Sequence, residues 1–183
     1  IMCDTAIDGI LFPSQWPRDF WISKRPDLAE KIKVWPVGII TNPLTEIHRT
    51  LCVVYQKNAP ETLLAIVLEQ LKKSGKSVRV LRYGQYSHAE YISALNHADS
   101  LVYLSESESQ GMALLEAWER NVPTLVWCRG YWQYRDQIWY DGAISAPYLT
   151  SEAGMFFKNG EDFEQQWKYF SSQLEYYHPR YLV

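Results

Sequence analysis

The sequence predicts an α/β fold, a Rossmann-like parallel sheet with helices on both faces. Between residues 50 and 128, strand-like segments alternate with helical ones, which favours parallel strands joined by crossover helices. Strand runs such as 51–55 (Leu-Cys-Val-Val-Tyr) are apolar at every position, as expected for a sheet covered on both faces. The length of 183 residues is typical of one domain.

The first part of the chain carries short elements followed by a linker. The predicted elements are a strand at 7–12, a helix at 15–23, a short helix at 27–31 and a strand at 33–35. Pro17 would lie in the first turn of the first helix. Residues 36–43 contain two prolines and one glycine, which predicts a linker.

The regular part follows. The predicted strands are 50–56, 78–83, 100–104 and 123–128, and the predicted helices are 60–74, 88–97 and 111–121. Pro60 and Glu61 suit a helix N-terminus, and Gly75 suits the residue after a helix C-terminus. The boundary signals therefore agree with the alternating pattern.

Beyond Gly130 the periodicity weakens. Residues 131–148 are aromatic and read as irregular, 153–157 predict an edge strand, and 162–177 predict a helix. The chain holds 8 Trp and 13 Tyr, many of them outside the predicted elements. Such an excess indicates a surface that another domain, a membrane interface or a ligand covers.

Composition excludes several classes of function. A net charge of -3 supplies no basic field for a polyphosphate backbone, so a nucleic-acid partner is not expected. The three cysteines (Cys3, Cys52 and Cys128) are odd in number and widely spaced, which predicts free thiols. Because the four histidines show no ligand spacing, neither a metal nor a cofactor is expected. No apolar run approaches about 20 residues and no signal peptide is recognisable, which predicts a cytoplasmic protein.

The candidate site is the turn at 105–111, between the strand at 100–104 and the next helix. Ligands of open parallel sheets bind beyond the carboxyl ends of the strands, where this turn would lie. Backbone N–H groups of Ser109, Gln110 and Gly111 would face an anion at a helix N-terminus, and glycine permits close approach.

Two carboxylates, Glu108 and Glu116, flank this anion site. If residues 108–116 were all helical, the two would be about 12 Å apart along the axis and about 80° apart in rotation. A sugar on one side of a diphosphate and a ribose on the other have that layout. Carboxylates accept paired hydroxyl hydrogen bonds at both ends.

These residues resemble a known signature. Residues 108–117 (Glu-Ser-Gln-Gly-Met-Ala-Leu-Leu-Glu-Ala) and 121–126 (Asn-Val-Pro-Thr-Leu-Val) are similar to the Glu-x7-Glu motif of retaining, family-4-like glycosyltransferases of the two-domain GT-B type. Residues 98–105 resemble the strand that leads into it. More weakly, 7–16 and 33–39 look like the end of the acceptor domain and the interdomain connector.

The resemblance implies a domain division and a function. Residues 1–36 would be a remnant of the acceptor domain with the start of the connector, and 37–183 a nucleotide-sugar-binding domain with a C-terminal helix. The protein would transfer a sugar with retention from a nucleotide-diphosphate donor to a carbohydrate or lipid-linked acceptor, at a cytoplasmic or peripheral membrane location. The isolated chain would be inactive because the acceptor domain is largely absent. Two alternatives stay open: a sugar-nucleotide epimerase of the same architecture, and a non-catalytic interaction domain that uses its aromatic surface.

The resemblance also implies residue roles. Glu108 would contact the hexose hydroxyls and Glu116 the ribose, and Lys57 would face the diphosphate, which makes Glu108 and Lys57 the catalytic candidates. The remaining donor-binding candidates are Ser109, Gln110, Gly111 and Met112, and the candidate phosphate partners at strand ends are Arg82 and Arg129. In two places the sequence departs from the family: Glu61 and Thr62 stand where a second cation is usual, and Gln110 replaces the usual Phe. A strand–helix unit that the family carries before Val78 is also missing.

Overall fold

The computed structural model describes residues 6–44 and 49–183. Its strands are β1 (Ile10–Phe12), β2 (Ile32–Val34), β3 (Leu51–Lys57), β4 (Ser77–Arg82), β5 (Ala98–Ser105), β6 (Thr124–Trp127), β7 (Tyr131–Tyr134), β8 (Gln137–Tyr140) and β9 (Gly154–Phe157). Its α-helices are α1 (Gln15–Lys24), α2 (Glu61–Lys73), α3 (His88–Asn96), α4 (Met112–Glu119) and α5 (Gly160–Ser172). Short 3-10 helices cover Pro26–Leu28, Leu174–Tyr176 and Pro179–Leu182.

The five-stranded central sheet is parallel throughout, in the order β4-β3-β5-β6-β9. The predicted α/β fold with a Rossmann-like sheet is therefore confirmed. From β3 the chain proceeds to β4 on one side, and from β4 it crosses to β5 on the other side of β3. The point at which this strand order reverses lies between β3 and β5, whose last residues, Lys57 and Ser105, are direct neighbours in the register.

The apolar runs of the strands pack against helices on both faces. Along β3, Val53 and Tyr55 belong to one buried cluster, and Cys52 and Val54 belong to the other. Because successive side chains of a strand point to opposite faces, a strand buried on both sides is apolar at every position. This explains why no polar alternation is visible in residues 51–55.

Side-chain caps set the N-terminal boundaries of α3 and α5. Ser87 and Glu90 form a capping box at the start of α3, and Asn159 caps α5 by accepting a hydrogen bond from the Asp162 amide. The predicted C-terminal helix reaches only Ser172, because a 3-10 turn at 174–176 replaces its last turn.

The prediction of a helix over 27–31 is wrong. Residues 26–28 form a 3-10 helix, in which the Ala29 amide donates to the Pro26 carbonyl at 3.1 Å. The Lys31 amide then donates to the Leu28 carbonyl at 2.9 Å. Both bonds span three residues, so the segment turns back into β2, which pairs in parallel with β1.

The prediction that residues 131–148 are irregular is also wrong in part. Strands β7 and β8 form an antiparallel hairpin in which Trp132 faces Trp139. Trp132 packs edge-on against Phe20 of α1, with ring centroids 5.1 Å apart. The two-residue turn places Arg135 at φ 53°, a conformation usually given to Asn or Gly. The sequence therefore lacks the ordinary turn signal between two aromatic runs.

The buried cysteines and the connector agree with the sequence within the described ranges. Cys52 and Cys128 are buried and free, whereas Cys3 lies outside the described residues. The predicted linker, residues 36–43, forms no regular element. In the described parts of the chain, no cluster of His, Cys, Asp and Glu could hold a metal ion, and no helix is long and apolar enough to cross a bilayer.

Candidate functional site

The turn at 106–111 leaves the sheet at the carboxyl end of β5, next to the end of β3. Open parallel sheets bind ligands in the crevice at the point where the strand order reverses. The structure therefore places the predicted turn at the expected position, with Lys57 beside it.

The N-terminal segment fixes the orientation of the turn. Trp16 Nε1 donates to the Glu108 carbonyl at 2.7 Å, and Ser14 Oγ donates to the Ser109 carbonyl at 2.5 Å. In a planar trans peptide the carbonyl and the next N–H point in opposite directions. The N–H groups of Ser109 and Gln110 consequently point away from the N-terminal segment.

Helix α4 begins at Met112, and Gly111 precedes it in the left-handed conformation at φ 85°. The first helical bonds are donated by Leu114 and Leu115 to the Gly111 carbonyl, at 2.9 and 3.1 Å. The amides of Met112 and Ala113 precede these donors and belong to the unpaired first turn of the helix. They lie at the positive end of the helix dipole, a place where an anion is favoured.

The start of α4 corrects the separation of Glu108 and Glu116 that was predicted from the sequence. Residues 108–111 are not helical, so Glu108 and Glu116 are not separated by eight helical steps. The backbone turns at Gly111, and only Glu116 is carried by the helix. Glu116 lies four residues after Met112, one turn along the same helix face.

Glu108 is buried beneath the turn, with 8% of the residue exposed. Its Oε1 accepts from Tyr103 OH at 2.7 Å, Ser105 Oγ at 2.9 Å and Lys57 Nζ at 3.0 Å. Its Oε2 accepts from Lys57 Nζ, also at 3.0 Å. The carboxylate is thus held by three side chains from the ends of β3 and β5, and the sequence motif alone gave no sign of this network.

Tyr103 supplies a donor that stays protonated. Burial, and then the negative charge of Glu108, raise its pKa well above the ordinary value for a phenol. Its ring stacks on Tyr55 of β3 with centroids 4.8 Å apart and planes 4° apart. The position of the hydroxyl is therefore set by the core of the sheet.

Gln110 fastens the connector to the turn. Its Nε2 donates to the Val37 carbonyl at 2.6 Å, and its Oε1 accepts from the Val37 amide at 3.0 Å. The side chain is buried and fully engaged. Only its backbone is available to a ligand in the manner predicted from the sequence.

Glu116 faces the start of α3. His88 Nε2 lies 2.7 Å from Glu116 Oε1, and because a carboxylate only accepts, the ring nitrogen is the donor. The two side chains border a pocket of about 380 Å³ whose other lining residues include Ile39, Ile92, Met112 and Arg120. Met112 and Glu116 therefore line the same pocket.

The two other predicted cations are each paired with a carboxylate. Arg82 donates to Glu61 at 2.5 and 3.0 Å, and the hydrogen bonds from Arg82 and Gln56 lower the pKa of Glu61 to about 2. Arg129 lies 3.1 Å from Glu106 and covers the ring of Tyr131, with its guanidinium carbon 4.3 Å from the ring centroid. Both arginines are near strand ends, and neither pairs with Glu108.

One buried acid was missed from the sequence. Glu119, at the end of α4, is 1% exposed and accepts from the Asn42 amide and from Arg120 Nη1, each at 2.6 Å. It ties the connector to the helix that carries Glu116. Its neighbours in the sequence, Trp118 and Arg120, offered no pattern that distinguishes a buried acid from a surface one.

Comparison with solved structures defines the fold. Over 96% of its length the chain is similar to a TarM mutant from S. aureus in complex with Fondaparinux, alpha-GlcNAc-glycerol and UDP, at 12% identity and a TM-score of 0.63, covering 39% of that chain. It is similar over its whole length to the lipopolysaccharide outer core galactosyltransferase WaaB in apo form, at 16% identity and a TM-score of 0.61, covering 58% of that chain. A second TarM structure matches at 11% identity and a TM-score of 0.58, covering 94% of this chain and 38% of that one.

These similarities establish a GT-B glycosyltransferase fold, as the sequence motif predicted. No family model matches the sequence, and no curated protein matches it. The chain spans between 38% and 58% of the length of these three structures.

Proposed function

We propose that this chain binds a nucleotide-diphosphate sugar and serves as the donor-binding part of a retaining glycosyltransferase. One observation carries the proposal: the turn at 106–111 and the start of α4 lie where the strand order reverses, between Lys57 on β3 and Glu116 on α4. A single ligand would meet a cation at the end of β3, unpaired amides at the start of α4 and a carboxylate one turn along α4. A diphosphate joined to a ribose presents complementary groups in the same order.

The diphosphate would occupy the start of α4. Amides of the first helical turn and the helix dipole favour an anion there, and Gly111 allows the backbone to approach it. Lys57 Nζ, at the end of the neighbouring strand, supplies the nearest full positive charge on β3. As the bond to the sugar breaks, negative charge grows on the diphosphate, and these fixed groups would stabilise it.

The ribose would lie one turn further along α4. Glu116 accepts hydrogen bonds from hydroxyl pairs, and its side chain borders the pocket beside Met112. His88 holds Glu116 Oε1, so Oε2 stays available to a ribose hydroxyl within the described structure. The loop at 83–87, between β4 and α3, borders the same end of the sheet and is the part of the chain that a base would meet.

We propose a carbohydrate or a lipid-linked molecule as the acceptor of the sugar. The TarM structure contains UDP together with alpha-GlcNAc-glycerol, and WaaB is named a galactosyltransferase. Their names support sugar transfer as the reaction class.

Calorimetric titration with UDP, GDP and their hexose conjugates tests the proposal. Glu116→Ala removes a charged hydrogen-bond acceptor, and we expect about tenfold weaker binding of nucleotide and nucleotide sugar alike. Glu69→Ala is the matched control, because it removes an exposed carboxylate from α2 whose ion-pair partner in the described part of the chain is Lys73. The control should bind as the wild type does.

The outcomes separate the alternatives. A wild-type protein that binds none of these ligands at millimolar concentration would refute the donor-binding proposal. Interconversion of free nucleotide sugars would assign the epimerase reaction, whereas slow hydrolysis of a donor without acceptor would support transfer.

A further inference from the structure

We infer that Glu108 is the counter-ion of Lys57 and not a ligand of the hexose. As the counter-ion, the Glu108 carboxylate holds the Lys57 ammonium in place and lowers the net positive charge that a diphosphate meets. The inference rests on the proposed donor site. It gives the first acid of the Glu-x7-Glu motif a positioning role in this chain.

The Glu108 carboxylate has little capacity to accept further hydrogen bonds. Glu108 Oε1 already accepts three hydrogen bonds, from Tyr103, Ser105 and Lys57. Its Oε2 faces the same ammonium. Since only 8% of the residue is exposed, a sugar hydroxyl has no free Oε1 lone pair to approach and little access to Oε2.

The hydrogen bonds around Glu108 are held rigidly by the packed tyrosine rings beneath them. Tyr103 stacks on Tyr55, which also contacts the rings of Tyr86 and Tyr91 at 6.0 and 5.7 Å. Rotating Glu108 toward the crevice would leave the buried Tyr103 hydroxyl and the Lys57 ammonium without their acceptor. Such a loss is costly in a buried site, so the carboxylate is fixed where it is.

The position and charge of the Lys57 ammonium depend on Glu108. Its ammonium lies 4.9 Å from the centroid of the Tyr83 ring and is partly exposed, with 23% of the side chain accessible. The bidentate contact with Glu108 holds it at the carboxyl end of β3 and makes the pair neutral. A diphosphate therefore meets an oriented donor whose charge is largely balanced, which favours release of the nucleotide product.

The variant Glu108→Gln distinguishes a counter-ion of Lys57 from a ligand of the hexose. The amide keeps the shape of the side chain and an acceptor for Lys57, but it removes the negative charge. If Glu108 is a counter-ion, UDP, a UDP-hexose and inorganic pyrophosphate should all bind about threefold to tenfold more tightly, while uridine should bind unchanged. A purely structural effect would alter uridine together with the phosphates.

If Glu108 were a ligand of the hexose, the affinities for the UDP-hexose and for UDP would change differently. In that case Glu108→Gln weakens the UDP-hexose and leaves UDP and pyrophosphate unchanged, and this result would overturn the inference. Weaker or unchanged pyrophosphate binding would overturn it as well. Glu69→Gln is the matched control, because it also removes one negative charge. Glu69 lies towards the C-terminal end of α2, whereas Lys57 precedes the N-terminal end of that helix.

Two further variants keep the inference testable if Glu108→Gln folds poorly. Lys57→Gln leaves a buried carboxylate without its cation, and the melting temperature should fall by at least about 4 °C. The double variant Lys57→Gln/Glu108→Gln should recover most of that loss and show no gain in pyrophosphate affinity. A Lys57→Gln protein as stable as the wild type would contradict the counter-ion role.

Pyrophosphate also separates this inference from the donor-site proposal. If neither the wild type nor Glu108→Gln binds a nucleotide, but Glu108→Gln gains pyrophosphate affinity, the donor site is refuted and the counter-ion role stands. If nucleotides bind to the wild type and Glu108→Gln gains nothing, the donor site stands and the counter-ion role is refuted.

Discussion

Replacing Glu119 by alanine should destabilise the protein and loosen the connector. The Glu119 carboxylate is the partner of the Asn42 amide and of Arg120 Nη1, each at 2.6 Å, and Arg180 Nη2 lies 4.0 Å from it. Arg120 Nε already has no hydrogen-bond partner among the described residues. Alanine would leave a largely buried guanidinium without its counter-charge and a backbone amide without its acceptor.

The magnitude follows from burial. Breaking a buried ion pair by removing one partner costs about 3–5 kcal/mol, and the lower end applies because Arg120 and Arg180 keep some exposure. For a chain of this size, about 3 kcal/mol corresponds to a fall in melting temperature of about 6–12 °C. Amide exchange at Asn42 should also become faster, because its acceptor is lost.

Differential scanning calorimetry measures the first effect and hydrogen exchange the second. Glu69→Ala is the control, since its ion pair with Lys73 is exposed to solvent and contributes little to stability. The reasoning is refuted if Glu119→Ala melts within about 2 °C of that control and the exchange of the Asn42 amide is unchanged.

Three further predictions test the sheet, the turn and a thiol. Gly154→Ala would place a Cβ 1.9 Å from the Thr124 carbonyl oxygen at φ 151°, so β9 must separate from β6; we expect a loss of about 3 kcal/mol or more in urea unfolding, and an unchanged midpoint would contradict the register. Gly111→Ala and Gly75→Ala both force a left-handed alanine (φ 85° and 73°), which costs about 1–2 kcal/mol; only Gly111→Ala should weaken nucleotide binding in the calorimeter, and equal affinities would remove the turn from the site. Burial raises the pKa of Cys52 to about 12, so iodoacetamide at pH 8 should modify it only in denaturant, and mass spectrometry showing rapid alkylation of the native protein would contradict its place in the core.

The sequence predicted the central sheet because its signals are local. The apolar run 51–55, Pro60 and Glu61 at the start of α2 and Gly75 just after its end each act within one element. Their order along the chain then specifies a parallel sheet, because crossover connections leave few alternatives. The position of the candidate turn followed from that topology.

The side-chain network around Glu108 was not predictable in the same way. Lys57 and Glu108 are separated by 51 residues, and their contact depends on the register between β3 and β5. Tyr103 fitted the pattern of a buried strand equally well whether or not its hydroxyl had a partner. A resemblance to a motif transfers residue positions, but the hydrogen bonds of each chain depend on its own neighbours.

The hairpin β7–β8 was missed for a different reason. Residues 131–134 and 137–140 are two aromatic runs separated by two residues, which is the spacing of a hairpin. Arg135 and Asp136 lack the glycine or asparagine that usually marks such a turn. Packing of Trp132 and Trp139 on Phe20, which only the folded chain reveals, stabilises the turn in their place.

A crystal structure of the protein soaked with a UDP-hexose tests the central claim most directly. The account predicts the diphosphate within hydrogen-bond distance of the Met112 and Ala113 amides and of Lys57 Nζ, with a ribose hydroxyl on Glu116. A nucleotide bound elsewhere, or one whose phosphates contact neither the start of α4 nor Lys57, would contradict it.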